Sequence, residues 1–312
     1  MTVDVVVPIY GNWKDTRTCL LALREQDYPH TVFVVDDASP DDTADRVRAE
    51  FPEVTLVVHE TNRGFATACN SGIAAGTGDI VILVNNDVEA EPGMLAALTA
   101  AFDDPALGSA TPLLFRPDGS VDGFGICADV TVAGFVRGAG MSEAALGAAS
   151  LPALLGPYGA VAAYRRTALD QVGLLDEGIF MYGEELDLAL RLSLGGWGCV
   201  AVTASRGVHL GGATAGRGSA RQRQRAGFGR GYLLRAYGIL RTRHALRAIL
   251  TEVIVSGGDL VLNRDFAAIR GRREGWRAGA AATPRAAAVP DLDPSIGFVD
   301  SLRMRVADRN PA

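Results

Sequence analysis

The chain has 312 residues, 48% of them hydrophobic and 21% charged, with a formal net charge of −6. That balance fits an ordinary soluble globular protein, large enough for one sizeable domain with an appendage. Four scattered cysteines without a CxxC pair argue against a zinc site or a disulfide framework, so reduced thiols in a cytoplasmic protein are expected. The amino terminus enters a strand without a basic leader, which argues against a signal peptide. No apolar run reaches the roughly 18 residues of a membrane span. The stretch "LRAILTEVIVSGGDLVL" is broken by Glu252, two glycines and Asp259.

In chain order, "VDVVVPIY" (3–10), "TVFVVDD" (31–37), "VTLVVHE" (54–60) and "DIVILVNND" (79–87) predict strands with both faces buried. The stretches between them, "DTRTCLLALREQ", "SPDDTADRVRAEF" and "GFATACNSGIAAG", have helical spacing. Ser39 before Pro40 predicts a helix start, and Asp15 offers another cap. Strand, helix and strand in repetition mean a parallel sheet with right-handed crossovers. After "EPGMLAALTAAFDD" the pattern loosens, and the Gly- and Ala-rich residues 128–152 are expected to form a mobile loop or lid. Order returns with "GPYGAVAAYRRTALDQVG", a helix over "GEELDLALRLSLGG" and a strand at "WGCVAVT". Basic helices are expected over 219–250, and from Ala278 a linker and tail.

Charge divides the chain. Residues 1–205 carry 11 basic against 28 acidic side chains, whereas residues 206–285 carry 16 arginines against 4 acids. The later segment is therefore expected to meet something anionic: lipid headgroups, phosphates or nucleic acid.

Four strand ends close on turn or polar residues. These are Pro8 to Gly11 with Tyr10 between them, Asp36-Asp37, Glu60 to Arg63, and Asn85-Asn86-Asp87. Each alone is explained by turn chemistry. In a parallel sheet, however, all four share the rim at which open α/β sheets bind ligands. A carboxylate after the second strand suits the ring N–H of a base or a ribose hydroxyl. The planar fork of Arg63 suits phosphate. Asp87 is a hard oxygen ligand of the kind that Mg²⁺ or Mn²⁺ takes while bridging a diphosphate.

The motifs "VVVPIYG", "VVDDASPDDT", "NRGFATACNSG" and "LVNNDV", in that order, resemble the opening of inverting family 2 glycosyltransferases with the GT-A fold. The later "GPYGAVAAYRRTALDQVGLLDEGIFMYGEELDLALRLSLGGWGCVAVTASRGVHLGGAT" is similar to the acceptor half of that family, nearest its rhamnosyltransferase-like branch in cell-envelope polysaccharide assembly. The resemblance spans about residues 3–215. It implies an α/β, Rossmann-like, mostly parallel sheet flanked by helices in a domain over 1–215, with a nucleotide-binding half at about 1–100 and an acceptor half at 101–215. A basic helical extension (216–277) and a linker and tail (278–312) would follow.

Residue by residue, the resemblance places Asp36 and Asp37 at the base and ribose, and Asn62 and Arg63 along the nucleotide pocket, with Pro8, Tyr10 and Asn86 beside it. Asn85-Asn86-Asp87 stands in place of the DXD motif, an amide replacing its first acid, which leaves Asp87 as metal ligand. His209 matches a family histidine near metal or diphosphate. Glu184-Glu185-Leu186-Asp187 stands where the family usually has Glu-Asp-x-Asp. Glu185 thus occupies the position of the general base, and Glu184 stays open as the alternative. The bland reading of these acids is an N-terminal helix turn that suits the macrodipole. Asp176, Tyr182, Asp187 and Trp197 are the expected acceptor contacts, Tyr182 and Trp197 being equally readable as core.

The implied reaction is metal-dependent, inverting transfer from a dTDP- or UDP-sugar, rhamnose in the branch resembled, to a glycan or lipid-linked hydroxyl. No nucleic-acid partner is expected. A peripheral contact of the basic segment with the anionic inner face of the membrane is expected instead, and the oligomeric state is left open. A sugar nucleotidyltransferase and a non-catalytic sugar-nucleotide-binding protein are the rivals. The first lacks its usual Gly-rich phosphate loop in "PIYGNWKDTR"; the second draws on the Glu185 departure.

Overall fold

A computed structural model describes residues 1–211 and 219–307. The first half alternates strands and helices: β1 (Val3–Ile9), α1 (Trp13–Arg24), β2 (Thr31–Asp36), α2 (Thr43–Glu50), β3 (Thr55–Val58), α3 (Phe65–Ala75) and β4 (Ile80–Val84). There follow β5 (Val88–Ala90), α4 (Met94–Ala100), β6 (Leu107–Phe115), β7 (Val121–Gly123), β8 (Ile126–Ala128), β9 (Gly134–Val136), α5 (Glu143–Ala148), β10 (Val161–Arg165), α6 (Arg166–Val172), α7 (Glu184–Leu194) and β11 (Gly198–His209). The chain ends in helices α8 (Ala220–Ala236), α9 (Ala245–Asn263), α10 (Ala267–Ala278) and α11 (Phe298–Ala307).

One sheet runs in the order β3-β2-β1-β4-β10-β6-β11-β5, with β7 added on β6. The neighbours β3, β2, β1 and β4 are parallel. β10 is antiparallel to β4 and β6, so β6 and β11 point the same way as β1. The carboxyl ends of β1, β2, β3, β4, β6 and β11 therefore share one rim. Alternation along β1 divides its side chains between two layers. Val5 and Val7 meet Leu20, Leu23 and Leu98 from α1 and α4, while Val6 meets Ile73 and Leu188 from α3 and α7. β1 reads as a continuous apolar run because both its faces are covered.

A third apolar cluster joins α7 to the carboxyl-terminal helices through Leu186, Leu190, Tyr232, Leu233 and Tyr237. There α8 and α10 touch backbone to backbone. A Cβ on Gly271 would fall 1.9 Å from the Gln224 carbonyl oxygen, and one on Gly275 would fall 1.9 Å from that of Phe228. Only glycine permits this approach.

Four expectations differ from the structure. Ser39 does not start a helix: its hydroxyl donates to Asp36 and accepts from the Gly11 N–H, and α2 begins at Thr43. Asp15 caps nothing either, accepting instead from the Asn12 side-chain amide. Residues 128–152, expected to be a mobile lid, hold β9, α5 and the buried Asp129, Val132, Phe135 and Leu146. Asp129 accepts from the backbone N–H groups of Thr131 and Ala133, and Arg247 pairs with it, so this segment is tied down. Residues 278–307, expected to be linker and tail, pack back on the acceptor half. Val289 and Ile296 are buried, Ser193 donates to Asp291, and Asp293 accepts from the Ala153 N–H.

Candidate active site

The rim loops carry unusual backbone. Asn12, Ala38 and Tyr182 all adopt positive φ, of 62, 60 and 71°. Side chains other than glycine accept such conformations at an energetic cost, and they gather at functional sites.

Asp36 and Asp37 end β2 and are both buried. Asp36 accepts from the Ser39 backbone N–H and hydroxyl. Asp37 accepts from the backbone N–H groups of Arg63 and Gly64, each at 2.8 Å, and from His59 Nδ1 at 2.8 Å. These carboxylates are turned to the protein's own loops, not to an open pocket. They shape the nucleotide rim by fixing residues 59–64. Asn62 and Arg63 remain exposed on that loop, with Arg63 3.6 Å from Glu177. Tyr10 is exposed at the end of β1, whereas Pro8 is buried in the sheet opposite Val35.

Asn85-Asn86-Asp87 is a tight turn from β4 into β5, closed by the Val88 N–H on the Asn85 carbonyl at 3.1 Å. Asn86 points inward and donates to Thr16 at 2.8 Å, so it anchors the turn and does not line the pocket. Asp87 meets His209. β11 pairs antiparallel with β5, His209 opposite Val88, and this brings Nε2 of His209 to 3.2 Å from Asp87 Oδ1. Nδ1 of the same ring lies 2.7 Å from Asp122, which Arg116 supports at 3.2 Å. Burial alone would lower the His209 pKa. Its hydrogen bonds to Asp122 and Asp87 outweigh burial and push it up to about 9. Asp122, despite burial, is held below the carboxylate range by His209 and Arg116. Tyr158 packs edge-on to the His209 ring at 6.1 Å and also bonds Asp122. The rest of the "HLGGAT" motif, from residue 212, lies outside the described residues.

Facing this line is the start of α7. Its approach is fixed at Gly64, whose absent Cβ would lie 2.6 Å from the Phe180 carbonyl oxygen, and the Phe65 N–H bonds that carbonyl. Glu184 is 4% exposed, and one of its oxygens has no hydrogen-bond partner among the described residues. Glu185 accepts from the Gly183 N–H at 3.2 Å. Their directions differ: Glu185 lies beside Gly159 and acts on Tyr158 along with Asp87, whereas Glu184 acts on Cys69 together with Asp37. Even so, the two carboxyl groups reach each other in the first helical turn and hydrogen-bond. Burial raises both pKa values. The negative charge of Glu185 raises that of Glu184 further, so the pair keeps its first negative charge on Glu185.

Of the expected acceptor contacts, Asp187 is fully buried, paired with Arg191 at 2.8 Å and with Arg285, and takes a hydrogen bond from Tyr237. Asp176 accepts from Tyr232 at 2.7 Å and from Arg285. Both are bound into an ion-pair network, not presented to a ligand. Tyr182 sits half-buried beside α8. Trp197 is on the wrong rim: it precedes β11, packs on Gly108 and donates to Gln171 at 3.0 Å, at the opposite end of that strand from His209. The sequence reading missed His59, Asp122, Tyr158 and Arg285. Position at a strand end was a signal for His59. No local pattern marked the other three.

Comparisons with known proteins agree with this arrangement. The profile of glycosyl transferase family 2 matches residues 4–173, and that of glycosyl transferase family group 2 matches residues 92–269. N-acetylglucosaminyl-diphospho-decaprenol L-rhamnosyltransferase of Mycobacterium tuberculosis is 31% identical over 219 residues, covering 58% of this chain and 66% of that protein. The chain thus spans slightly less than two thirds of this relative. Among solved structures, the mannosyltransferase PcManGT from Pyrobaculum calidifontis with GDP-Man and Mn²⁺ aligns with a TM-score of 0.54 at 21% identity, over 90% of this chain and 76% of that one. GalNAc-T7 with UDP, GalNAc and Mn²⁺ aligns with a TM-score of 0.60 at 14% identity, over 100% of this chain and 58% of that one. With the family profile over more than half its length and the GT-A sheet with its rim of acids, the chain belongs to glycosyl transferase family 2, and a rhamnosyltransferase is among its relatives.

Proposed function

We propose that the protein transfers a sugar, with inversion, from a nucleotide diphosphate donor to a hydroxyl of a glycan or lipid-linked acceptor. The observation that carries this reading is the opposition of two groups on one rim: the Asp87–His209–Asp122 line and the pair of buried Glu184 and half-buried Glu185. The first suits the diphosphate end of a donor, the second a proton acceptor.

A divalent ion fits at Asp87. An oxygen and an imidazole nitrogen lie 3.2 Å apart there, and Asp122 fixes the His209 ring through its other nitrogen, as outer-shell carboxylates do at metal sites. No group of three or more His, Cys, Asp or Glu side chains suited to a metal occurs among the described residues. The chain thus offers two donors, which suits a hard ion that keeps water and substrate phosphates as its remaining ligands. Bound there, the ion would offset charge on the departing diphosphate. Mn²⁺ in the two aligned structures is consistent with this reading.

Glu185 takes the proton of the acceptor hydroxyl as its oxygen attacks the anomeric carbon and the nucleoside diphosphate leaves. Such a base is worth typically 10²–10⁴-fold in rate. Arg63, exposed on a loop that Asp37 holds rigid, meets the nucleotide phosphates. The relative's name supports rhamnose as the sugar moved, and the family resemblance suggests dTDP as its carrier.

Incubation with a panel of nucleotide sugars, reading released nucleoside diphosphate, tests the proposal. Asp87→Ala should abolish turnover while leaving the fold intact, and full activity of that variant in EDTA refutes the metal role. Conversion of a nucleotide sugar to nucleoside triphosphate and sugar 1-phosphate on addition of pyrophosphate would instead mark a nucleotidyltransferase, and silence with every donor a binding protein.

A further inference from the structure

Helix α9 is inside out. Its protein-facing side carries Ala248, Thr251, Val255 and Asp259, all buried, together with Glu252. Glu252 is gripped by Arg230, Arg272 and Arg305, which hold its carboxyl far below the usual range despite burial. Its solvent side is apolar. Leu246 is 68% exposed, Val253 64%, Val261 74% and Leu262 78%, with Ile249 between them. Leu246, Ile249, Val253 and Val261, spaced by three, four and eight residues, lie on one helical face, with Leu262 to one side at the helix end, and the stripe runs about 22 Å at 1.5 Å per residue. Phe266, 62% exposed at the start of α10, extends it. The polar residues that interrupt this stretch in sequence are turned inward, so they do not interrupt the outer face.

The rim of the stripe is cationic. Arg243 and Arg264 are exposed at the two ends of α9, Arg270 and Arg273 are exposed on α10, and Glu274 is the one exposed acid among residues 241–278. Contiguous apolar surface of this extent on a soluble protein marks an interaction site.

We propose that α9 and the start of α10 seat this protein on an anionic phospholipid surface, the apolar stripe entering the headgroup–acyl boundary and the arginines pairing with lipid phosphates. An apolar face flanked by arginine and aromatic residues is the pattern of helices that lie in a membrane interface. No helix among the described residues is long and apolar enough to cross a membrane, so the contact is in-plane. Charge chooses lipid over a second copy. A two-fold contact through this face would set the arginines of one copy against those of the other, whereas anionic headgroups neutralise them. The inference does not depend on the transferase reading, since its test measures no turnover.

Flotation of the full chain with vesicles of phosphatidylglycerol and phosphatidylcholine, against phosphatidylcholine alone, is the test. The protein should float with the mixed vesicles. Ile249→Glu with Val253→Glu should lower partition by about tenfold or more at an unchanged melting temperature, because both side chains already face water. Arg270→Glu with Arg273→Glu should also weaken binding to the mixed vesicles and leave phosphatidylcholine binding unchanged. Equal flotation of the Ile249/Val253 variant overturns the proposal, and so does failure of the unaltered chain to float. A dimer in light scattering that this variant dissolves, without flotation, would assign the stripe to a second copy instead.

Discussion

Asp36-Asp37 and Glu184-Glu185 are both adjacent acid pairs on the same rim, and they live in opposite surroundings. The aspartates end a strand and are met by backbone N–H groups of the loops they close, three for Asp36 and Asp37 together, plus His59. The glutamates open a helix: Glu184 is buried and Glu185 half-buried, their burial outweighs the backbone N–H groups that meet them, and the two carboxyl groups hydrogen-bond each other. A carboxylate surrounded by donors fixes the loops that supply them. One buried without them resists ionisation and is poised to take up a proton. Acidity on a rim is thus not one signal but two, separated by the donors around it.

The largest effect expected from this contrast is at Glu185. Glu185→Gln keeps an acceptor for the Gly183 N–H but removes the base, so turnover should fall at least about a hundredfold while nucleotide affinity, read by calorimetry, stays put. A dead Glu184→Gln beside an active Glu185→Gln would move the base to the first acid.

Next is Arg285, which reaches from beyond the expected extension to pair with Asp176 and Asp187 under α7. Arg285→Met leaves Asp187 buried with Arg191 as its remaining cation. Breaking a buried pair in this way costs about 3 kcal/mol, a fall that urea unfolding would register. Unchanged stability would mean that residues 278–307 do not brace the base helix.

A smaller effect is expected at Asp37. An amide there must turn its NH₂ toward one of the donors now meeting the carboxylate, at a cost of about 1–3 kcal/mol. Asp37→Asn should therefore speed hydrogen exchange over residues 59–64 and weaken nucleotide binding with little effect on the chemical step. A drop in the chemical step at normal affinity would place Asp37 at the reaction and not at the loop.

How far the sequence carried depended on range. The strands β1, β2 and β4 were legible because burial on both faces writes a continuous apolar run, and the rim followed from their parallel order. Asp87 and His209 were legible through motif, although only the pairing of β5 with β11 puts them in contact. Asp122 was not, because it sits on a three-residue strand in a glycine-rich stretch where periodicity has no room to appear. Arg285 lies among alanines and prolines that read as linker, and its partners are about a hundred residues away. Trp197 failed for a related reason: twelve residues separate it from His209 in sequence, and a strand of that length carries them to opposite rims. In α9 the acids that break the apolar run in sequence, Glu252 and Asp259, turn toward the protein, which the length of an apolar run does not reveal.

The smallest effect concerns Glu184 and runs against the usual sign of a substitution. Its folded-state pKa is raised well above the ordinary glutamate value, first by burial and then by the charge on Glu185. A raised acid binds its proton more tightly folded than unfolded. Its favourable contribution is therefore complete below the unfolded glutamate pKa, and it is lost as pH climbs from there through the folded value. As pH rises toward neutrality the buried acid loses that contribution, and one of its oxygens lacks a partner among the described residues. Glu184→Gln is neutral at every pH and can still donate to Glu185. The variant should consequently melt higher than the unaltered protein at neutral pH, by a few degrees for about 1 kcal/mol in a chain of this size, with the gap closing as pH falls toward 4. Paired melting curves across that range decide it. A gap that is constant with pH, or a variant that melts lower at neutrality, would mean that Glu184 is ionised and satisfied in the fold, and the contrast between the two acid pairs would fail at this residue.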